Sequence, residues 1–144
     1  MMDPSILIAG NSEYGLAQSI NEQWKELNVR QMTFKSRSVS NTDLTSVHEQ
    51  KEFAKLSLEY KTTILVSCMW GYEQVKLAER IAKQWIEHKH DGYLIVLGSS
   101  ADTPVKGSAW SYPVEKKALR AYCRQLSQIS AGENEYKFKV TYLS

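Results

Sequence analysis

The stretch Gly92–Gln125, GYLIVLGSSADTPVKGSAWSYPVEKKALRAYCRQ, decides how this 144-residue chain is read. It opens with Tyr93-Leu94-Ile95-Val96-Leu97, an apolar run too short for a helix and bounded by Gly92 and Gly98. That pattern predicts a buried strand. The run ends in Ser99-Ser100. Tyr112 follows thirteen positions after Ser99, and Lys116 four positions after that. Pro113 is tolerated in a first helical turn, and helical spacing continues through at least Gln125. Tyr112 and Lys116 are therefore i and i+4 on one helical face.

A phenol with a pKa near ~10 is a poor acid–base group at neutral pH, but a neighbouring ammonium favours its ionised form. A serine hydroxyl at the end of the adjoining strand would hold a substrate oxygen against that phenol. A Tyr and a Lys four apart on a helix are by themselves ordinary. The serine at this separation and the start of the chain single them out.

Ser99, Tyr112, Pro113, Val114, Glu115 and Lys116 resemble the short-chain dehydrogenase/reductase family, whose active-site pattern is a serine after a strand and Tyr-x-x-x-Lys thirteen residues on. The resemblance implies an oxidoreductase transferring a hydride between NADP(H) and a carbonyl or alcohol. Tyr112 would carry the proton, and Lys116 would bind the nicotinamide ribose and lower the tyrosine pKa. Ser99 would orient the substrate oxygen.

Upstream, Ser5–Ala9 predicts a buried strand, and Gly10-Asn11-Ser12-Glu13-Tyr14-Gly15-Leu16-Ala17 a turn into a helix reaching about Leu27. Such a turn presents free backbone N–H groups to a pyrophosphate. It is similar to the family's Thr-Gly-x-x-x-Gly-x-Gly, with Gly15 retained, Asn11 at the first glycine and Ala17 at the last. Cofactor contacts are expected from Gly10, Asn11, Ser12, Tyr14, Gly15 and Leu16. Val29–Phe34 predicts the second strand. Lys35 and Arg37 follow it with no acid nearby, which favours a 2′-phosphate and so NADP(H) over NAD(H). Asp43 and Leu44 resemble the family's adenine-facing segment, and Asp43 is also a candidate N-cap for a helix through Leu56.

Thr62–Ser67 predicts a fourth strand, with Ile64, Leu65 and Val66 buried. Ser67, Cys68 and Met69 follow where the family carries Asn-Asn-Ala-Gly, and these positions line the cofactor in the resemblance. The next helix, about Tyr72–His88, has Val75, Ala78, Ile81, Ala82, Trp85 and Ile86 on its apolar stripe, and Gly92 is its expected stop. The family's active-site asparagine falls near Gln74, whose amide could imitate it. The last predicted strand, Lys137–Leu143, alternates lysines with apolar residues, as suits a sheet edge.

The expected architecture is α/β, one doubly wound parallel Rossmann sheet of about six strands with helices on both faces, and the resemblance implies the strand order 3-2-1-4-5-6. Residues 1–144 are expected to form a single NAD(P)-binding domain. Apolar residues at 42%, charged residues at 24% and a net charge of +2 leave no basic field for nucleic acid. No apolar run approaches the ~20 residues of a bilayer span, no signal peptide is evident, and two cysteines form no disulfide framework. A cytoplasmic protein without metal is expected, acting on a small-molecule carbonyl or alcohol. The resemblance further implies a homodimer or homotetramer, with Trp85, Ile86, Leu119, Tyr122 and Leu126 available either for that surface or for the core. The family's covering loop and seventh strand have no counterpart before Ser144. The competing expectation is therefore a catalytically weak or inactive dinucleotide-binding or interaction protein of the same descent.

Overall fold

The computed structural model describes residues 5–10, 15–25, 31–36, 40–66, 72–98, 111–132 and 136–143. Strands and helices alternate: β1 (Ser5–Ala9), α1 (Gly15–Lys25), β2 (Gln31–Lys35), α2 (Val47–Ser57), β3 (Thr62–Leu65), α3 (Glu73–Glu87), β4 (Tyr93–Leu97), α4 (Ser111–Gly132) and β5 (Lys139–Leu143). The strands form a parallel sheet in the order β2-β1-β3-β4-β5.

Burial along β1 and β5 agrees with their places in this order. All five residues of β1 are buried, as an interior parallel strand flanked on both faces requires. In β5, Val140 is buried while Lys139 and Leu143 are exposed, and this strand is the sheet edge, as its alternation predicts. Among the described residues the other edge is β2. The expected sixth strand is not among the described residues. Between β2 and β3 these hold a turn and α2 instead, and the chain crosses from one edge to the far side of β1.

Two cores flank the sheet. Leu7, Ala9, Leu65, Leu94 and Val96 pack with Phe53 and Ala54 of α2, Leu77, Ile81 and Trp85 of α3, and Leu119, Cys123 and Leu126 of α4. On the opposite face, Ile6, Ile8 and Ile64 pack with Ile20 of α1, Met32, Phe34, Val66, Ile95 and Leu97. Burying each large aliphatic side chain contributes about 1.5–3 kcal/mol, so these layers hold the sheet together. Trp85 is fully buried and still satisfied, because its indole N–H donates to Ser57 Oγ at 2.8 Å.

The end of α3 corrects one expectation. Gly92 does not stop the helix. Lys89 takes the left-handed conformation (φ 52°), the His90 N–H donates to the Trp85 carbonyl, and the Lys89 N–H donates to the Ile86 carbonyl. This is a Schellman closure built on a lysine. It brings the His90 ring edge-on to Trp85, 4.8 Å between centroids. Gly92 is needed for a different reason: a Cβ there would lie 2.6 Å from the His90 ring and 2.9 Å from Trp85.

Candidate active site

Because every pairing is parallel, the carboxyl ends of the strands share one edge of the sheet. The ladder continues one residue past three strands: Gly10 N–H donates to the Lys35 carbonyl (3.0 Å), Val66 N–H to Ala9 (3.0 Å) and Gly98 N–H to Leu143 (2.6 Å). Helix α1 starts just beyond Gly10 with no acidic residue in its first turn. Helix N-termini carry unpaired N–H groups and partial positive charge, which suits an anion at this edge.

Of the predicted Ser99, Tyr112 and Lys116 set, Lys116 is the member whose side chain is described. It lies in the second turn of α4 and is only 2% exposed. Its Nζ donates to Gln74 Oε1 at 2.6 Å, and Gln74, also 2% exposed, directs Nε2 toward the Leu97 carbonyl at 3.4 Å. The amine is thus tied through the first turn of α3 to the end of β4, immediately before Gly98 and Ser99. The side-chain carboxylate of Glu115, 8% exposed, leaves Oε2 without a hydrogen-bond partner among the described residues.

Tyr112 falls in the first turn of α4, one turn before Lys116. Its side chain lies outside the described residues, as does that of Leu16 in α1. Ser99, Asn11, Ser12, Tyr14, Arg37, Ser67, Cys68 and Met69 also lie outside them. Gly10 is buried at the end of β1, and Gly15 is the first residue of α1.

Asp43 is not the cap of α2. Its Oδ1 accepts from the Thr45 N–H (3.0 Å) and hydroxyl (2.6 Å), closing an Asx-type turn, and the helix starts later with Ser46 as N-cap. Leu44 is a core residue, 6% exposed. Trp85, Leu119 and Leu126 also belong to the core, with Ile86 and Tyr122 packed against it, so the core alternative accounts for these residues.

One neighbour of the site was not singled out from the sequence. The ring of Tyr142 in β5 lies against Gly98, so closely that a Cβ at Gly98 would overlap its hydroxyl end. The signal was present in outline. Alternation puts Tyr142 on the same face as buried Val140, and Gly98 stands opposite the strand end.

No family model and no curated protein matches this sequence. Solved structures do. A short-chain dehydrogenase from Burkholderia cenocepacia in complex with NADP matches with a TM-score of 0.75 and 12% identity, over 97% of this chain and 70% of that one. A short-chain dehydrogenase/reductase from Vibrio parahaemolyticus matches with a TM-score of 0.68 and 16% identity, over 95% of this chain and 82% of that one. The fold is that of the short-chain dehydrogenases/reductases. A GDP-mannoheptose C4 reductase from Campylobacter jejuni with NADP bound also matches, with a TM-score of 0.69 and 18% identity over 99% of this chain. The chain spans about half the length of that protein, 48% of it. In this short-chain dehydrogenase fold, α4 with Tyr112 and Lys116 connects the last two strands of the sheet, β4 and β5.

Proposed function

We propose that the chain is an NADP(H)-dependent oxidoreductase of short-chain dehydrogenase type, acting on a small carbonyl or alcohol through Ser99, Tyr112 and Lys116. The observation that carries this reading is the buried Lys116 amine held by Gln74 at the carboxyl end of β4. A lysine taken out of water needs a reason, since burial disfavours its charged form. A role toward the Tyr112 phenol, whose residue lies one helical turn earlier in α4, would supply one.

The residues fit a dinucleotide at the level of the backbone. Gly10 closes β1, α1 opens at the same edge without an acid in its first turn, and Lys35 closes β2 there. Gly10, Asn11, Ser12, Tyr14, Gly15 and Leu16 would hold the pyrophosphate and its ribose. Asp43 and Leu44 would flank the adenine. Ser67, Cys68 and Met69 would line the crevice past β3. Lys35 and Arg37 favour the 2′-phosphate form, in keeping with the NADP bound in matched structures. The nicotinamide, when bound, supplies or accepts the hydride.

The protein's own part is proton handling and orientation. Ser99 donates to the substrate oxygen and fixes its distance from the phenol. Tyr112 gives its proton to that oxygen in reduction and takes it back in oxidation, and Lys116 eases both by favouring the phenolate. Gln74 keeps the lysine amine in place. The chain is expected to act as one domain in the cytoplasm and as a homodimer or homotetramer. Among the described residues, no helix is long and apolar enough to cross a membrane.

The same bond also supports a second reading, a dinucleotide-binding protein with little turnover. An amine already donating to Gln74 has one donor fewer for ribose hydroxyls. NADPH binding by calorimetry and NADPH oxidation against a panel of aldehydes and ketones separate the two. Turnover that disappears in Tyr112→Phe with NADPH affinity retained supports catalysis. Binding without turnover in the natural sequence supports the second reading, and no NADPH binding overturns both.

A further inference from the structure

A cavity of about 190 Å³ opens between α2 and α3, lined by Lys51, Ala54, Lys55, Arg80, Lys83 and Gln84. Four of its six lining residues are cationic, and none is acidic. Arg80 lies six residues along α3 from Gln74, about 9 Å at the helical rise of 1.5 Å per residue. The cavity is thus on the helical layer, away from the candidate active site.

What distinguishes it from an ordinary lysine-rich surface is how Arg80 is held. Gln50 is fully buried, and its Nε2 donates to the Leu44 carbonyl (2.9 Å) and to the Glu73 carboxylate (2.7 Å). Both of those partners only accept, so the amide orientation is settled and Oε1 is turned to Arg80, accepting from its Nε at 3.0 Å. A neutral buried amide therefore positions the guanidinium without neutralising it.

The remaining charges divide clearly. Lys83 pairs with Glu79 (2.7 Å), and Lys55 stands at 3.9 Å from Glu52. Arg80 and Lys51 form no ion pair among the described residues. Among the described residues nothing accepts from the terminal N–H groups of the guanidinium, and their planar fork matches the oxygens of a phosphate.

We propose that this cavity binds a phosphate-bearing small anion, with Arg80 as its bidentate anchor and Lys51 as the second unneutralised charge. Gln50 acts as a positioning residue. Site volume favours a phosphate or diphosphate group over a larger partner.

The test is titration of the full chain with pyrophosphate at low ionic strength, by calorimetry and by backbone amide NMR. Expected is saturable binding with shifts concentrated at residues 51–55 and 80–84. Arg80→Gln should weaken it by about tenfold or more, and Arg80→Lys, which keeps the charge but loses the fork, by several-fold. AMP titrated in parallel identifies the source. A nucleotide-borne phosphate moves the same amides, whereas a site for the free inorganic anion leaves them unmoved by AMP. Unchanged affinity in Arg80→Gln, or shifts scattered over the surface without saturation, overturns the proposal. Should Arg80→Gln fail to fold, Lys51→Gln/Lys83→Gln leaves the Gln50 network intact. It should weaken binding about fivefold, through loss of charge alone, and unchanged affinity again overturns the proposal. None of these readouts depends on oxidoreductase activity.

Discussion

Lys116 donates to the side-chain oxygen of Gln74 across 2.6 Å, joining the second turn of α4 to the first turn of α3. The two residues are 42 apart in sequence and each is 2% exposed. Leucine at position 74 would keep the volume and remove the acceptor. Gln74→Leu is expected to destabilise the protein by about 1–3 kcal/mol, the cost of removing a hydrogen bond from a buried amine. Urea denaturation measures this. Under the proposed mechanism it also lowers turnover by about tenfold or more, since Lys116 loses its positioning. Unchanged stability and turnover together would show that the bond does neither.

Gly98 and Tyr142 form a second tightly matched pair. A methyl group at position 98 meets the hydroxyl end of the Tyr142 ring, and the Gly98 N–H is already committed to the Leu143 carbonyl. Gly98→Ala should therefore cost about 1–3 kcal/mol as an overpacking substitution. In a Tyr142→Leu background the cost should shrink, because the colliding atoms are gone. A double-mutant cycle in urea reads the difference, and strict additivity would contradict the contact.

His90 makes stability depend on pH. Burial lowers its pKa below the usual 6.5, and Lys61 lowers it further, against opposing effects of the Tyr60 carbonyl and Asp91. Its ring N–H donates to the Tyr60 carbonyl at 2.9 Å. The unfolded chain thus takes up a proton at this residue near pH 6.5, while the folded protein resists until lower pH. Stability is full above that range, falls as pH drops below about 6.5, and levels off once folded His90 is protonated. His90→Gln should flatten this part of the profile. Identical slopes for the two proteins between about pH 7 and pH 5.5 would exclude the effect.

Cys123 is 1% exposed, and burial pushes its thiol pKa up to about 12. The thiolate is the reacting species. In a Cys68→Ser background, labelling by a disulfide reagent at pH 8 should therefore be slow and should accelerate in step with unfolding. Complete labelling within the mixing time would mean that the packing between α4 and the sheet is not as described.

Much of the fold was legible because apolar runs with the right lengths and punctuation admit few arrangements. Tyr93–Leu97 came out as a strand with the expected bounds, and the stripe on α3 is the face that packs on the sheet. Legibility failed where neighbours in space compete with neighbours in sequence. Asp43 has the chemistry of an N-cap, yet its carboxylate is engaged by Thr45, two residues away, before the helix begins. Gly92 has the chemistry of a helix stop, yet Lys89 turns the chain three residues earlier and Gly92 makes room for two rings.

Chain order by itself determined a parallel α/β sheet, the edge position of β5 and the pairing of Tyr112 with Lys116 on one helix. Each of these follows from local periodicity and from residues at most a few turns apart. Only the tertiary structure decided that Lys116 finds Gln74, that Arg80 is held by Gln50, and that Tyr142 closes over Gly98. Those contacts join residues 30 to 44 positions apart, from Gln50–Arg80 to Gly98–Tyr142. The sheet register and helix packing that bring such residues together are properties of the folded whole, absent from any short window of the chain.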